Sequence, residues 1–346
     1  MKTGGNPVRI AINGFGRIGR AAFKLLFERQ DAKIVAINDL SAPKTLAYLL
    51  KHDSAYGKYE KTVTFSDQSL IVDGQEIPVF HETDPEKLPW KENDVDVALE
   101  CTGIFRDLAG AGKHLTAGAK KVIISSPAKS PEIKTIVLGV NDDEISEDDQ
   151  IFSNASCTTN CIAPIMDVLE KAYGVEKSMM TTIHSYTNSG RILDSSAKDL
   201  REGRTAAENI IPTTTGASKA TAEVIPSLEN KFSGLSVRVP TPVVSLADIT
   251  ALLKTNVEKA ELAKLFETLA KNPLYRGILA TTREELVSTD FIKNPNSCIV
   301  DLPLIDVVGG NLVKIVAWYD NEWGYSNRLV ELALKVGNQL KKGDKK

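Results

Sequence analysis

The stretch NASCTTNC, Asn154 to Cys161, sets two of the chain's four cysteines four residues apart among small hydroxyl and amide side chains. Three chemistries use such a pair. Zinc sites need about four ligands, and Cys157 and Cys161 supply two, while His52, His81, His114 and His184 form no paired motif. A disulfide needs Cβ vectors that face each other, whereas helix positions i and i+4 lie side by side. A nucleophile needs a thiolate, which a helix N-terminus stabilises through its N–H groups and dipole. With Ser156 as N-cap, Cys157 starts a predicted helix. Cys161 lies one turn further in, before Ile162 and Ala163, and reads as a buried, inert thiol. A nucleophile also needs a base. His184, in TTIHSYT, closes a predicted strand just before a long irregular stretch, in a hydroxyl-rich setting. Thiol and imidazole together would make a couple for covalent catalysis.

A second motif lies near the start. AINGFGRIGR spaces Gly14, Gly16 and Gly19 as G-x-G-x-x-G, after the predicted strand Val8–Asn13 and opening the predicted helix Arg17–Gln30. Glycine serves a tight turn and a close backbone approach to a pyrophosphate, which the helix N-terminus then holds. Asp39 ends the next strand, Lys33–Asp39, 20 residues after Gly19. A carboxylate there accepts hydrogen bonds from an adenosine ribose. A structural turn followed by a helix-capping Asp would leave the same residues; the strand–helix–strand context favours a dinucleotide.

These motifs need two kinds of framework. The N-terminal half alternates strand and helix, as a βαβ unit does. PKTLAYLLKHD reads as a helix, Thr62 to His81 as a hairpin around DGQ, and Val95–Gly103, Lys120–Ser125 and Lys134–Val140 as buried parallel strands. After the Cys157 helix the texture changes. A strand (Ser178–Tyr186) leads into an irregular stretch from Thr187 to Pro212, and a loop of that length in a compact domain is usually functional. Helices over Gly216–Leu228 and Glu258–Ala270 then alternate with strands ending at Lys314–Asp320, and a last helix runs from Tyr325 to about Leu340. The expected fold is an α/β Rossmann-type dinucleotide-binding domain plus an α+β catalytic domain with a mostly antiparallel sheet. The boundaries expected are 1–156, completed by a C-terminal helix at 322–346, and 157–321.

Composition limits the partners. The chain has 346 residues, 42% hydrophobic and 25% charged, with net charge −3, which gives no electrostatic footprint for nucleic acid or an anionic membrane as main partner. The end KKGDKK reads as a solvated tail. Four cysteines make no disulfide framework, and no apolar run has signal-peptide or membrane-spanning length. A reducing, cytoplasmic setting is expected.

INGFGRIGR, CTGIF, SNASCTTNCIAP, HSYT, NIIPTTTGASKA, VRVPTP and WYDNEWGYSNR follow one another along nearly the whole chain. In this order they resemble the phosphorylating glyceraldehyde-3-phosphate dehydrogenases. The resemblance implies oxidation of D-glyceraldehyde 3-phosphate to 1,3-bisphosphoglycerate, with hydride transfer to NAD, through a hemithioacetal and a thioester on Cys157, with His184 as base. It implies a dinucleotide site of Asn13, Gly14, Phe15, Gly16, Arg17, Ile18 and Asp39, with Thr102, Gly103, Ser125 and Asn321 around the ribose and nicotinamide. Thr187 and Arg238 would hold the substrate phosphate, and Ser156, Thr158, Thr215 and Gly216 inorganic phosphate. No metal is implied. The family is glycolytic and typically a homotetramer.

The chain departs from the family's pattern at Ser189, Gly190 and Cys298–Asp306. Ser195 and Ser196 also stand where strict NAD members often carry Leu and Pro, in a loop that reaches a neighbouring subunit's cofactor in the family's tetramer; this adds NADP as a second cofactor. Two other functions fit parts of the pattern. An erythrose-4-phosphate dehydrogenase shares the cysteine motif but tends to lose Tyr186 and Thr187, and a non-catalytic NAD-binding redox sensor would not need the Cys157–His184 pair.

Overall fold

The computed structural model describes residues 6–343; the end of the KKGDKK tail lies outside them. Two compact units divide the chain. One comprises the residues up to Ile136, with Asp143–Ala155 and Ser326 onward; the other comprises Val137–Asp142 and Ser156–Tyr325.

In the first unit, VRIAIN forms the central strand Val8–Asn13 because β-branched and small apolar residues fill both faces, and all but Arg9 are buried. Among the described residues this sheet has nine strands. On one side of Val8–Asn13 lie Val97–Glu100, Lys121–Ile124, Ile151–Ser153 and Lys134–Thr135; on the other lie Ala32–Asn38 and Gln75–Phe80, all parallel. Ser69–Val72 and Val63–Phe65 then return antiparallel through Asp73 and Gly74, both at positive φ. The order reverses at Val8–Asn13, and ligands of such sheets sit beyond the strand C-termini at that point.

One expected strand is corrected. Lys134–Val140 pairs only over Lys134–Thr135; Val137 to Val140 turns back on itself, with Gly139 at φ +83°. Its apolar residues are buried as a turn, which a run of hydrophobic letters does not distinguish from a strand. Ile151–Ser153 supplies a pairing that the pattern did not reveal. The helix Leu108–Thr116 was also not visible as a periodic run; Asp107 caps it by accepting the Gly110 N–H at 2.7 Å.

The second unit is built on an eight-stranded, mostly antiparallel sheet, counted over the described residues. Its long strand Val175–Ser185 pairs parallel with Phe232–Val239 and antiparallel with Ser245–Leu253, which pairs in turn with Leu312–Tyr319. The helix Cys157–Tyr173 packs its buried Ile162, Ile165, Met166 and Leu169 on this sheet. The helix expected over Gly216–Leu228 is Ala217–Val224 followed by a 3-10 turn, Pro226–Leu228, because Pro226 lacks the N–H that would continue it. The last helix begins at Trp323, where Asp320 Oδ1 accepts the N–H groups of Glu322 and Trp323.

From Thr187 to Ile210 the chain is irregular apart from one bridge, Arg191 to Thr205; the expected irregular stretch ends earlier than Pro212, because Ile211–Thr214 forms a strand antiparallel to Phe232–Val239. Asp194 organises it, accepting from the Thr205 N–H and hydroxyl and from Arg204 Nε. Ile192, Leu193, Leu200 and Ile210 are at least 74% exposed in this unit.

Candidate active site

Cys157 is the first residue of its helix. Ser156 caps it, its hydroxyl oxygen accepting the Thr159 N–H at 3.0 Å. Ala155 before it has φ +54°, an uncommon conformation for a residue with a Cβ and a typical place to find stored strain. The Cys157 Sγ lies 3.4 Å from His184 Nε2. His184 Nδ1 lies 2.7 Å from the carbonyl oxygen of Ser185, which can only accept, so Nδ1 carries a proton and Nε2 offers a lone pair to the thiol.

Burial pushes the Cys157 thiol up, against the pull of the Arg238 guanidinium and of hydrogen bonds from Thr158. Burial, aided by the same guanidinium, pushes His184 down to about 4. The helix dipole therefore does not act alone on this thiol. Desolvation disfavours each charge separately, while a thiolate and an imidazolium at this separation favour each other.

Register brings the cation here. In the parallel pair Val175–Ser185 and Phe232–Val239, His184 stands opposite Arg238. Arg238 Nε is buried with no hydrogen-bond partner, and no carboxylate pairs with this guanidinium among the described residues. Tyr319 holds the imidazole from the other side. Its ring meets that of His184 edge-on, 6.0 Å between centroids, and its hydroxyl sits 3.0 Å from Thr158 Oγ1 and 2.7 Å from Thr182 Oγ1. Tyr319 was not singled out from the sequence, although it stands beside Asn321 in WYDNEWGYSNR.

The remaining residues expected at phosphates are less uniform. The Thr158 hydroxyl is committed to Tyr319 and the residue is buried. Thr187 and Gly216 are exposed, and Thr187 Oγ1 contacts Ser189 Oγ at 3.1 Å. Thr215 Oγ1 accepts the N–H of Ala217, the first residue of the helix Ala217–Val224, and Gly216 at its N-cap has no side chain to add a second such bond. Asn321 is fixed by a relay: the Ser185 N–H donates to Ser245 Oγ, which donates to Asn321 Oδ1 at 3.1 Å. That leaves the Asn321 amide N–H groups as donors.

In the first unit the three glycines differ in what surrounds them. A Cβ on Gly14 (φ +91°) would lie 2.7 Å from the Thr102 nitrogen, and one on Gly19 would lie 2.1 Å from the Gly14 carbonyl oxygen. A Cβ on Gly16 would meet nothing within 4 Å. Two glycines close the turn and the third leaves an open cradle at a helix N-terminus that no side chain caps, which fits a pyrophosphate. Asp39 accepts the N–H groups of Phe15 and Ser41, so its carboxylate is held at the glycine loop, with Leu40 exposed beside it.

Two expected cofactor residues are occupied otherwise. The Arg17 guanidinium pairs with Asp53 at 2.9 Å and lies over Tyr56, leaving its backbone at the cradle. The Asn13 side chain is 1% exposed, and both ends of its amide are engaged, by Asn38 and Glu100. Ile18 follows Arg17 in the first helical turn, and Gly103 (φ +73°) has open space where a Cβ would stand. The Ser125 N–H donates to the Glu100 carbonyl.

Comparison with known proteins agrees in both halves. Residues 8–108 match the family model described as glyceraldehyde 3-phosphate dehydrogenase, NAD binding domain, and residues 156–321 match the one described as its C-terminal domain. The chain is 50% identical over 335 residues to glyceraldehyde-3-phosphate dehydrogenase 2 of Streptomyces avermitilis, covering 96% of this chain and 99% of that protein. It is 49% identical over 333 residues to glyceraldehyde-3-phosphate dehydrogenase of Geobacillus stearothermophilus (96% and 99%). Over 329 residues it is 48% identical to the chloroplastic glyceraldehyde-3-phosphate dehydrogenase A of Chlamydomonas reinhardtii (94% and 88%).

Proposed function

The chain belongs to the glyceraldehyde-3-phosphate dehydrogenase family, and from that premise we propose how its own residues perform the reaction. It is an NAD-dependent phosphorylating dehydrogenase that interconverts glyceraldehyde 3-phosphate and 1,3-bisphosphoglycerate. The observation that carries the proposal is the 3.4 Å approach of Cys157 Sγ to His184 Nε2 beside Arg238.

His184 Nε2 takes the thiol proton as Sγ attacks the aldehyde carbon, and returns it to the oxygen of the resulting hemithioacetal. The same nitrogen then removes the hydroxyl proton while the C–H bond gives up hydride. NAD, when bound at the glycine cradle, would supply the acceptor for that hydride. The thioester left on Cys157 keeps the energy of the oxidation, and phosphate displaces the sulfur to give the acyl phosphate. Sulfur suits this step because a thiolate leaves a carbonyl far more readily than an alkoxide. The Asn321 amide N–H groups, aimed by Ser245, serve the carboxamide of the cofactor.

Arg238 holds the substrate phosphate together with Thr187; Ser156, Thr215 and Gly216 serve inorganic phosphate, while Thr158, buried with its hydroxyl on Tyr319, offers it no free hydroxyl. Arg238→Leu should raise KM for glyceraldehyde 3-phosphate by roughly ten- to a hundredfold. Removing the guanidinium also lets the thiol rise, since its charge now pulls Cys157 down. That second effect strikes any aldehyde, so the ratio of losses between glyceraldehyde 3-phosphate and unphosphorylated glyceraldehyde isolates the phosphate contact. Equal losses would place Arg238 away from the substrate phosphate.

NAD is the cofactor, and NADP is a weaker alternative. Asp39, held at the loop by Phe15 and Ser41, would repel a 2′-phosphate, and Leu40 offers that phosphate no partner. Ser195 and Ser196 are exposed hydroxyls in the irregular segment and supply neutral donors at most. The expected preference in kcat/KM for NAD is on the order of a hundredfold, measured for both cofactors at one ionic strength. Higher kcat/KM with NADP would mean that Asp39 does not meet the ribose.

The apolar residues of that segment, exposed in the single chain, support a homotetramer, whose particle mass light scattering on the full chain reports. No described helix is long and apolar enough to cross a membrane. All four cysteines are free thiols, which supports a reducing, cytoplasmic setting.

A further inference from the structure

Glu100 ends a buried strand of the dinucleotide unit and is 1% exposed. Among the described residues no Lys or Arg pairs with it. Donors converge on it instead. Asn13 Nδ2–H donates to Oε2 at 2.5 Å, and His114 Nε2 lies 3.1 Å from the same oxygen. The Thr102 N–H donates to Oε1 at 2.8 Å, joined by the Thr102 hydroxyl.

Both ends of this network are pinned by groups that cannot reverse. Trp90 Nε1–H donates to His114 Nδ1 at 2.9 Å, and an indole N–H only donates, so His114 carries its proton on Nε2 and turns it to Glu100. At the other end the Glu82 N–H donates to Asn38 Oδ1, which turns Asn38 Nδ2 to the Glu82 carbonyl and to Asn13 Oδ1. Asn13 must then present Nδ2 to Glu100. An acceptor-only carboxylate satisfies every one of these donors.

The network sits where the sheet meets the glycine loop. Parallel register sets Asn13 between Asn38 and Glu100 at the C-terminal ends of three adjacent strands. The Thr102 nitrogen whose proton Glu100 accepts is the atom that a Cβ on Gly14 would strike at 2.7 Å. Glu100 thus acts on the Gly14 turn through Thr102, and on the ends of the first two strands through Asn13 and Asn38.

We propose that Glu100 is a positioning residue for the dinucleotide: its buried carboxylate holds the Thr102 backbone against the Gly14 turn and sets the strand ends that carry the cradle. This rests on the NAD reading of the unit and names a residue behind the contact surface on which it depends.

Glu100→Gln is the sharp test, because it keeps the shape and turns one acceptor into an N–H2 donor. Toward Asn13 and His114 that donor meets two others. Toward Thr102 the hydroxyl can rotate to accept, but the backbone N–H cannot, so Thr102 must shift. NAD titration of the full-length wild type, run first, reports on NAD binding itself, so a loss confined to the variants belongs to Glu100. The expected result for Glu100→Gln is a Kd for NAD raised about tenfold or more, with iodoacetamide alkylation of Cys157, measured without NAD, within about twofold of wild type. Trp90→Phe removes a hydrogen bond from the same network but leaves the acceptors of Glu100 intact; it should lower Tm and leave the Kd within about twofold. Should Glu100→Gln not fold, Glu100→Asp replaces it: its carboxylate, one methylene short, should also weaken NAD binding. A wild-type Kd in the folded Glu100 variant, or a Kd that rises in Trp90→Phe in step with its loss of Tm, overturns the positioning role.

Discussion

Replacing Cys157 with serine should remove aldehyde oxidation by a factor on the order of 10⁴ or more while leaving NAD binding near wild type. The side chain keeps its size and its place at the helix start, so the capping by Ser156 and the packing behind it are undisturbed. What changes is the atom that attacks. A hydroxyl is far less acidic than a thiol, so beside the same imidazole far less of it reaches the attacking, deprotonated form. A serine ester would also surrender its acyl group to phosphate less readily than a thioester. Initial rates of NADH formation with saturating phosphate measure the loss, and equilibrium titration measures NAD affinity. Turnover above about a hundredth of wild type would remove Cys157 from the role of nucleophile. Cys161→Ala should be far milder: that thiol is fully buried one turn away, and burial pushes it well above the ordinary range.

His184→Asn should lower kcat by roughly 10²- to 10⁴-fold, the range that a positioned general base contributes. The amide can still touch the sulfur but cannot take a proton from the thiol or from the hemithioacetal. The same variant should shift the pH profile of Cys157 alkylation by iodoacetamide, and the sign follows from the site. Burial raises the thiol; a protonated imidazole 3.4 Å away favours the thiolate. Without the imidazole only Arg238, the Thr158 hydrogen bonds and the helix N-terminus oppose burial, so alkylation should require a higher pH and be slower near neutrality. An unchanged profile in His184→Asn would show that the two side chains do not share a proton.

What was legible in the sequence is local chemistry. G-x-G-x-x-G reads directly because the turn, the cradle and the helix start are consecutive in the chain; the positive φ of Gly14 and the contact of Gly19 with the Gly14 carbonyl are local, whereas the approach of Thr102 to Gly14 was not legible. Ser156 and Cys157 read for the same reason, since an N-cap and the first helical residue are neighbours. The change from strand–helix alternation to strand-rich texture was enough to anticipate two kinds of sheet. The apolar run Lys134–Val140 was misleading because burial selects the same residue types for a strand and for a packed turn, and only the partners of the backbone N–H groups tell them apart.

The electrostatics of the thiol were only half legible. A helix start predicts stabilisation of a thiolate; the burial that opposes it depends on side chains from other segments. The buried carboxylate of Glu100 left a faint trace, a charged residue directly after the apolar run Val97–Leu99. Its meaning lies in donors supplied from separate parts of the chain.

By itself, then, the sequence determined which groups are present and how each is presented by its own turn or cap: the thiol at a helix start, the glycine cradle, the carboxylate after the second strand. Only the tertiary structure decided which groups meet. Strand register sets His184 opposite Arg238 and Asn13 between Asn38 and Glu100, and packing against Tyr319 aims the imidazole at the sulfur. The physical reason is that periodicity assigns a residue to a face of its element, whereas register and depth of burial come from pairing distant segments, and these place charges within reach and strip away the water that would screen them.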